Sequence, residues 1–451
     1  MYHRLRVGLL VVFCLSIGNL FGLFAQHSTD YYSLSMVGNA GNGIFAPYYL
    51  SANKHGLVTH SKSGYLRASV FKGLEMNKRF SYEFGIDLVG LMSSTSPVSY
   101  YSDGNLKTYN PGVSSFLIQQ AYIGMKYRMI FISAGCRELT DEVVNFELSS
   151  GGLVWSGNAR PIPQVRAGFI DFVDIPFTKG WVQIKGELAY GKFMDNDFLR
   201  DHYNYYNQYI TTDALYHHKS ISFRSNPDKP FVVTIGAELA AQFGGTKRYY
   251  EKGILIDSLT MKSPTRLKDF FKILFPSSGD GQTNEGDQAY YYGNHVGQWN
   301  LSAEYRFKDN SSVRGYFEWY FDDASGMGKF NGWDGLWGLE YKSGKKNWLS
   351  NVVLEYLDMT NQSGPLNWCP SDYNDPKLDI EATGADDYYN NYFYNGWAHY
   401  GLSNGTAMAK SLLYNTDGYM RYKHNRIRGV HLGASGYIAP EWKYKILPYI
   451  C

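Results

Sequence analysis

Apolar and polar positions alternate with period two along most of the chain. Trp299–Lys308 sets Trp299, Leu301, Ala303, Tyr305 and Phe307 against Asn300, Ser302, Glu304, Arg306 and Lys308. Val313–Asp322 repeats the pattern, with Val313, Gly315, Phe317, Trp319 and Phe321 opposite Arg314, Tyr316, Glu318, Tyr320 and Asp322. Phe231–Phe243 does the same with Phe231, Val233, Ile235, Ala237, Leu239, Ala241 and Phe243 on one face. This period predicts β-strands with one apolar face. The strands run to about ten residues, the length a tilted strand needs to cross a bilayer, whereas globular strands more often stop at about five or six. Their second face carries successive charges, which suits a wet lumen better than a second packed sheet.

The turns fall into two classes. Short polar turns are expected at Met76–Arg79, Lys126–Met129, Ser343–Lys346 and Ala439–Glu441. Much longer polar segments, 91–115, 194–229, 244–297 and 358–420, separate the hairpins and are assigned to the outside or the lumen. Short turns at one end and long loops at the other is the layout of outer-membrane barrels. One segment leaves the rhythm: Leu267, Phe270, Phe271 and Leu274 fall at i, i+3, i+4 and i+7 after Ser263-Pro264-Thr265, which predicts a short amphipathic helix over 266–275. It either folds into or caps the barrel, or packs within a long loop.

Composition sharpens this picture. Tyr 40, Phe 26 and Trp 10 make 17% of the chain aromatic, and Gly is 47. That excess suits aromatic girdles at membrane interfaces and also stacking platforms for sugars. Residues 1–25 read as a signal peptide, with Arg4 and Arg6 before an apolar stretch and Ala25 at the expected cleavage point. The remaining 41 Lys+Arg balance 41 Asp+Glu, so no basic field calls for nucleic acid. After residue 25 there is no apolar run of 18 residues, which excludes a helical span. Cys136, Cys369 and Cys451 have no metal or redox spacing.

Motifs for catalysis are absent: there is no Gly-x-Ser-x-Gly elbow, no His-Glu-x-x-His and no phosphate-binding loop. His217 and His218 are adjacent, so on a strand they point to opposite faces and do not share a metal. Asp195 and Asp197 share one side of an extended stretch, where a turn role outweighs a cation site. No cofactor and no metal are expected. Aromatic clusters with Asn and Asp carry more weight: HYNYYNQY over His202–Tyr209, DDYYNNYFYNGW over Asp386–Trp397, and indoles at Trp333 and Trp368. Tyr205, Tyr206, Trp333, Trp368, Tyr392, Tyr394 and Trp397 are the candidate glycan-binding residues, because aromatic faces pack on sugar C–H faces while Asn, Asp and Arg bond the hydroxyls.

Trp155–Gly168 reads WSGNARPIPQVRAG. Two prolines fix an extended lead-in to a strand, flanked by Arg160 and Arg166. Asn158, Ala159, Arg160, Pro161 and Pro163 resemble the asparagine-alanine-arginine-proline-x-proline signature of the Wzi capsule-assembly family, in the version seen in gut-type Bacteroidetes. Leu215–Ser220, Ala241–Gly245 and Tyr392–Gly401 are similar to that group as well. The resemblance implies an outer-membrane lectin β-barrel of about eighteen strands that holds capsular polysaccharide. Outer-membrane lipid and the capsule export machinery would be further partners, and Arg160 and Arg166 lumenal or loop-anchoring residues. It also implies helices at the periplasmic end, which Thr140–Leu148 could supply. Against the family's usual length, this chain is expected to lack the last strands. The same alternation supports a porin-like channel for oligosaccharides, so a binding barrel and a channel both stand at this point.

Overall fold

The computed structural model describes residues 30–95, 97–102, 104–109, 115–141, 143–203, 208–289, 291–322, 327, 332–362, 366–367, 382–383 and 386–450. The chain is an all-β protein built on one antiparallel 19-stranded sheet. Its principal strands are β1 (Asp30–Asn39), β2 (Ser63–Lys72), β3 (Phe80–Ser93), β4 (Phe116–Tyr127), β5 (Ile130–Cys136), β6 (Gln164–Phe169), β7 (Val182–Lys192) and β8 (Gln208–Ser225). They continue with β9 (Phe231–Glu251), β10 (Asn294–Arg306), β11 (Ser312–Asp322), β12 (Gly335–Lys342), β13 (Asn351–Asp358), β14 (Arg428–Ala439) and β15 (Trp442–Ile446). Each pairs with the next in sequence, giving an up-and-down meander. Among the described residues no ladder joins β1 to β15.

The sheet curls into a barrel wall, and two contacts require it to. Arg67 on β2 pairs with Glu138 at 2.8 Å, and ten residues later the Leu148 carbonyl accepts from His431 Nε2 on β14 at 2.6 Å. A chain can span at most about 36 Å over ten residues. Flattened, the twelve strand steps from β2 to β14 would cover roughly 60 Å. The two strands must therefore approach each other around a common interior.

The wall is inverted relative to a soluble sheet. On β3, Phe80, Tyr82, Ile86, Leu88 and Met92 are exposed while Ser81, Glu83 and Asp87 are buried. On β12 and β13, Leu339, Leu354 and Tyr356 face out, and Glu340 and Glu355 face in. Apolar-out, charged-in alternation places lipid outside and a polar lumen inside. Paired aromatics line the outer face, with Trp299 opposite Trp319 and Phe317 stacked on Trp337 at 3.9 Å. Leu301, 47% exposed, sits in this belt. Leu301→Arg should cost ~2–4 kcal/mol of folding stability in bilayers, because the cation would lie in hydrocarbon. Urea titration of vesicle-inserted protein checks this; on a soluble sheet the same change would be nearly neutral.

Short connections (Gly73–Arg79, Arg128–Met129, Asn226–Pro230, Phe307–Ser311, Ser343–Ser350 and Pro440–Glu441) gather at one end, the long ones at the other. The sequence expectation of long loops over 194–229 and 244–297 needs correction. Those stretches contain all of β8, the last part of β9 and the start of β10; β8 and β9, of 18 and 21 residues, project beyond any membrane-crossing length. Their ladder is interrupted at Asp213, between Thr212↔Thr246 and Ala214↔Gly244, and resumes in the same register. Asp213, Gly244 and Gly245 all take positive φ there, which the two glycines adopt without a Cβ penalty. Among the described residues of Thr140–Leu148 none is helical; 143–148 form bends and turns that enter the barrel.

Candidate functional site

The connection between β5 and β6, residues 137–163, turns back into the lumen. Its backbone polar groups find partners on the wall, as a buried loop requires. Gln298 on β10 accepts from Val154 N at 3.1 Å, and Glu318 on β11 accepts from Leu153 N at 2.9 Å. Glu340 on β12 accepts from Asn145 Nδ2 at 2.6 Å, and Glu355 on β13 accepts from Ser149 Oγ and Ser150 N at 2.6 and 2.7 Å. His431 on β14 completes the series with Leu148. Five neighbouring strands thus each hold the interior segment by one inward polar side chain. The contact is close: a Cβ on Gly433 would lie 2.4 Å from the Leu148 carbonyl oxygen.

The proline-rich motif is the exit of this segment. Pro163 leads directly into β6, an interior strand of the sheet rather than an edge, and its carbonyl accepts from Lys192 N at 3.1 Å. Asn158 and Ala159 are buried, and Asn158 Nδ2 donates to Ser403 O at 3.1 Å. Pro161 is buried as well. Arg166 points inward and pairs with Glu187 at 2.5 Å. From there a chain of polar contacts crosses the lumenal wall. Glu187 faces His218 Nδ1 at 3.3 Å, His218 Nε2 contacts Glu238 at 2.8 Å, and Gln298 Nε2 donates to Glu238 at 3.1 Å. A cavity of about 110 Å³ beside Trp155 opens onto these groups.

A second connection, 359–427, also enters the lumen, through its described residues from 386 onward. Asn395 exchanges bonds with the backbone of Thr211, and Gln242 donates to Gly396 O at 3.1 Å. Trp397 is fully buried; its Nε1 donates to Val154 O at 2.7 Å and its ring stacks on Tyr216 at 6.2 Å. Tyr394 is buried beneath Lys247, whose ammonium lies 4.2 Å from the ring centre. Tyr394 and Trp397, expected to meet sugar, present no open face. They join the two interior segments to each other and to the wall.

Arg160 lies over Tyr400 at 4.2 Å, and its carbonyl accepts from His399 Nδ1 at 2.9 Å. His399 Nε2 accepts from Met194 N, and Asp195 accepts from Tyr400 N at 2.9 Å. Burial pushes His399 down to about 3 and Asp195 up to about 6. Both groups are engaged by backbone, an arrangement that positions a loop. The expected side-by-side Asp195 and Asp197 do not occur: the stretch turns into the Asn196–His202 helix, with Asp197 paired to Arg200 in its first turn. Among the described residues no group of three His, Cys, Asp or Glu side chains can hold a metal ion.

Above the lumen, at the long-loop end, four rings converge from three parts of the chain. Tyr209 at the start of β8 contacts Tyr249 of β9 at 5.1 Å, Phe393 at 5.3 Å and Tyr392 at 5.7 Å. Tyr392 is 58% exposed, and the Arg421 guanidinium stands 5.9 Å from its ring centre. Arg421 makes no ion pair among the described residues. Tyr209 and Phe393 lay within the two aromatic runs, but Tyr249 and Arg421 gave no separate signal, because strand pairing and loop folding bring them together. Trp333 lies elsewhere: exposed and 5.6 Å from Trp337, it extends the outer aromatic belt. Tyr205, Tyr206 and Trp368 lie outside the described residues.

No family model and no curated protein matches this sequence. Among solved structures, the chain is similar to Wzi of Escherichia coli, an outer-membrane carbohydrate-binding β-barrel involved in group 1 capsule assembly. Identity is 12%, with 94% of this chain and 81% of that one covered and a TM-score of 0.49. It is also similar to the outer-membrane channel DcaP of Acinetobacter baumannii (9% identity, 72% and 90% covered, TM-score 0.27) and to a mutant Rh. blastica porin (11%, 65% and 85%, 0.26).

Proposed function

We propose that this protein is a non-catalytic outer-membrane barrel that binds polysaccharide at the cell surface and helps retain it there as capsule. The observation that carries the reading is the Tyr209–Tyr249–Tyr392–Phe393 cluster at the long-loop rim, with Tyr392 exposed, above the interior segments. Aromatic faces suit the apolar C–H faces of pyranose rings, and Arg421 beside them suits hydroxyl or carboxylate groups. The interior argues against solute passage as the main task, since both connections that enter the barrel are tied to its wall. A binding surface above an occupied lumen needs no tuned acid or base, in keeping with the backbone-bound His399 and Asp195.

Retention is the property to measure. In an encapsulated host, deleting the gene should leave total polysaccharide unchanged while the cell-bound fraction falls and the medium fraction rises severalfold. Restoration by the wild-type gene, but not by one carrying Tyr209→Ala and Tyr392→Ala, is the expected outcome. Unchanged retention in the deletion strain would refute the reading and favour a channel for oligosaccharides.

A further inference from the structure

The Leu267–Leu274 helix neither caps nor enters the barrel. On β8, Tyr216 and His218 face the lumen, so His217 and Lys219 face out. On β9, Gln242 faces in and Phe243 out. The helix packs on the outward set: Phe270 contacts Phe243 at 5.3 Å and Tyr190 at 5.3 Å, and Ile273 is fully buried with Phe243, Ala241 and Tyr292. Tyr190 Oη donates to Phe270 O at 3.0 Å. Lys219 Nζ donates to the carbonyls of Ile273 and Leu274, the open C-terminal end of the helix. A lysine on a lipid-facing wall is otherwise a costly residue, and here the helix terminus satisfies it. His217 and His295, also outward, lie under the same loop and are buried.

The face turned away from the wall is apolar. Leu267, Phe271 and Phe275, at i, i+4 and i+8, are 76%, 55% and 70% exposed. They continue the exposed belt of Ile221, Phe223, Ile235 and Leu301 on the strands beside them. At the helix shoulder Arg266, Lys268 and Lys272 converge on the half-buried Asp280 at 2.8, 3.0 and 3.9 Å, and Arg266 also pairs with Asp269 at 2.9 Å, so three cations face two carboxylates. Asp269 is turned inward, where it accepts the Arg266 N–H at 2.8 Å.

We infer that this helix is a membrane-embedded fin on the outside of the barrel. Leu267, Phe271 and Phe275 lie against lipid acyl chains, and the basic shoulder lies at the level of anionic headgroups. An apolar face flanked by Lys and Arg is the form of helices that rest at the headgroup–acyl boundary. Continuity with the lipid-facing belt places that boundary at the long-loop end of the wall.

Nitroxide labels on Phe271→Cys and Phe275→Cys test this in the full chain reconstituted into phospholipid vesicles, with Cys136, Cys369 and Cys451 replaced by serine. Leu301→Cys serves as a lipid reference and Lys308→Cys, in a short turn, as an aqueous one. Oxygen should collide with both helix labels in preference to a water-soluble nickel chelate, with a ratio matching Leu301 and severalfold above Lys308. A ratio matching Lys308 would place the face in water and overturn the inference. Low collision with both reagents would overturn it too, by showing the face covered by protein, such as a second copy of the barrel. A label on Leu267→Cys gives the same reading if either phenylalanine variant fails to insert.

Discussion

Excising residues 143–154 and bridging the gap with a short glycine linker should turn a plugged barrel into a cation-selective pore. The segment supplies the groups that Gln298, Glu318, Glu340 and Glu355 hold, and Leu148, Leu153 and Val154 are fully buried at the centre. Without it, three carboxylates on adjacent strands face an aqueous gap. Rings of acidic side chains favour cations at close range. In planar bilayers the wild-type protein should show no discrete openings, and the deletion variant should show openings whose reversal potential in a salt gradient reports cation preference. The second connection, packed along β8 and β9, stays in place, so the barrel should still shift its gel mobility on heating. A silent deletion variant that is still folded would mean that this segment does not seal the lumen.

Trp397→Ala should be among the most damaging single changes, at about 3–5 kcal/mol. Its ring fills the space between Tyr216, Phe193 and the interior segment, and its indole N–H is bonded to Val154 O. Truncation leaves a cavity and strands a buried carbonyl, with little room for collapse against wall strands fixed by their ladders. The urea midpoint of vesicle-inserted protein should fall accordingly. Tyr392→Ala, five residues earlier but exposed, should leave the same midpoint within about 0.5 kcal/mol of wild type. Equal effects of the two changes would contradict the division of this loop into anchor and surface.

That division was not legible in the sequence. Tyr392, Tyr394 and Trp397 stand in one aromatic run with no period to separate them, and only the partners distinguish them: Thr211 and Val154 fix one side, solvent the other. The wall itself was readable. Alternation at Trp299–Lys308 and Val313–Asp322 follows from having lipid on one face and a polar lumen on the other, and the opposite facing of His217 and His218 follows from the pleat. Strand length was less so. β8 and β9 run on through Tyr-, Thr- and Gly-rich sequence whose alternation fades outside the membrane, where both faces meet protein. The interior segment was hidden for another reason. Its composition is that of a loop, and the side chains that satisfy it, Glu318, Glu340 and Glu355, lie 165, 195 and 205 residues along the chain. The 266–275 periodicity gave the helix, but nothing in it could tell the outer wall from the lumen; that depended on Lys219 facing out.

Titration of purified cell-surface polysaccharide from the encapsulated host into detergent-solubilised protein, followed by calorimetry, tests the central claim most directly. The account predicts saturable binding to the wild-type protein and a loss of about tenfold or more for Tyr209→Ala with Tyr392→Ala, equivalent to about 1.4 kcal/mol. It predicts unchanged binding for Trp333→Ala on the outer belt. No binding by a folded wild-type protein, or equal binding by the Tyr209/Tyr392 double variant, would contradict it.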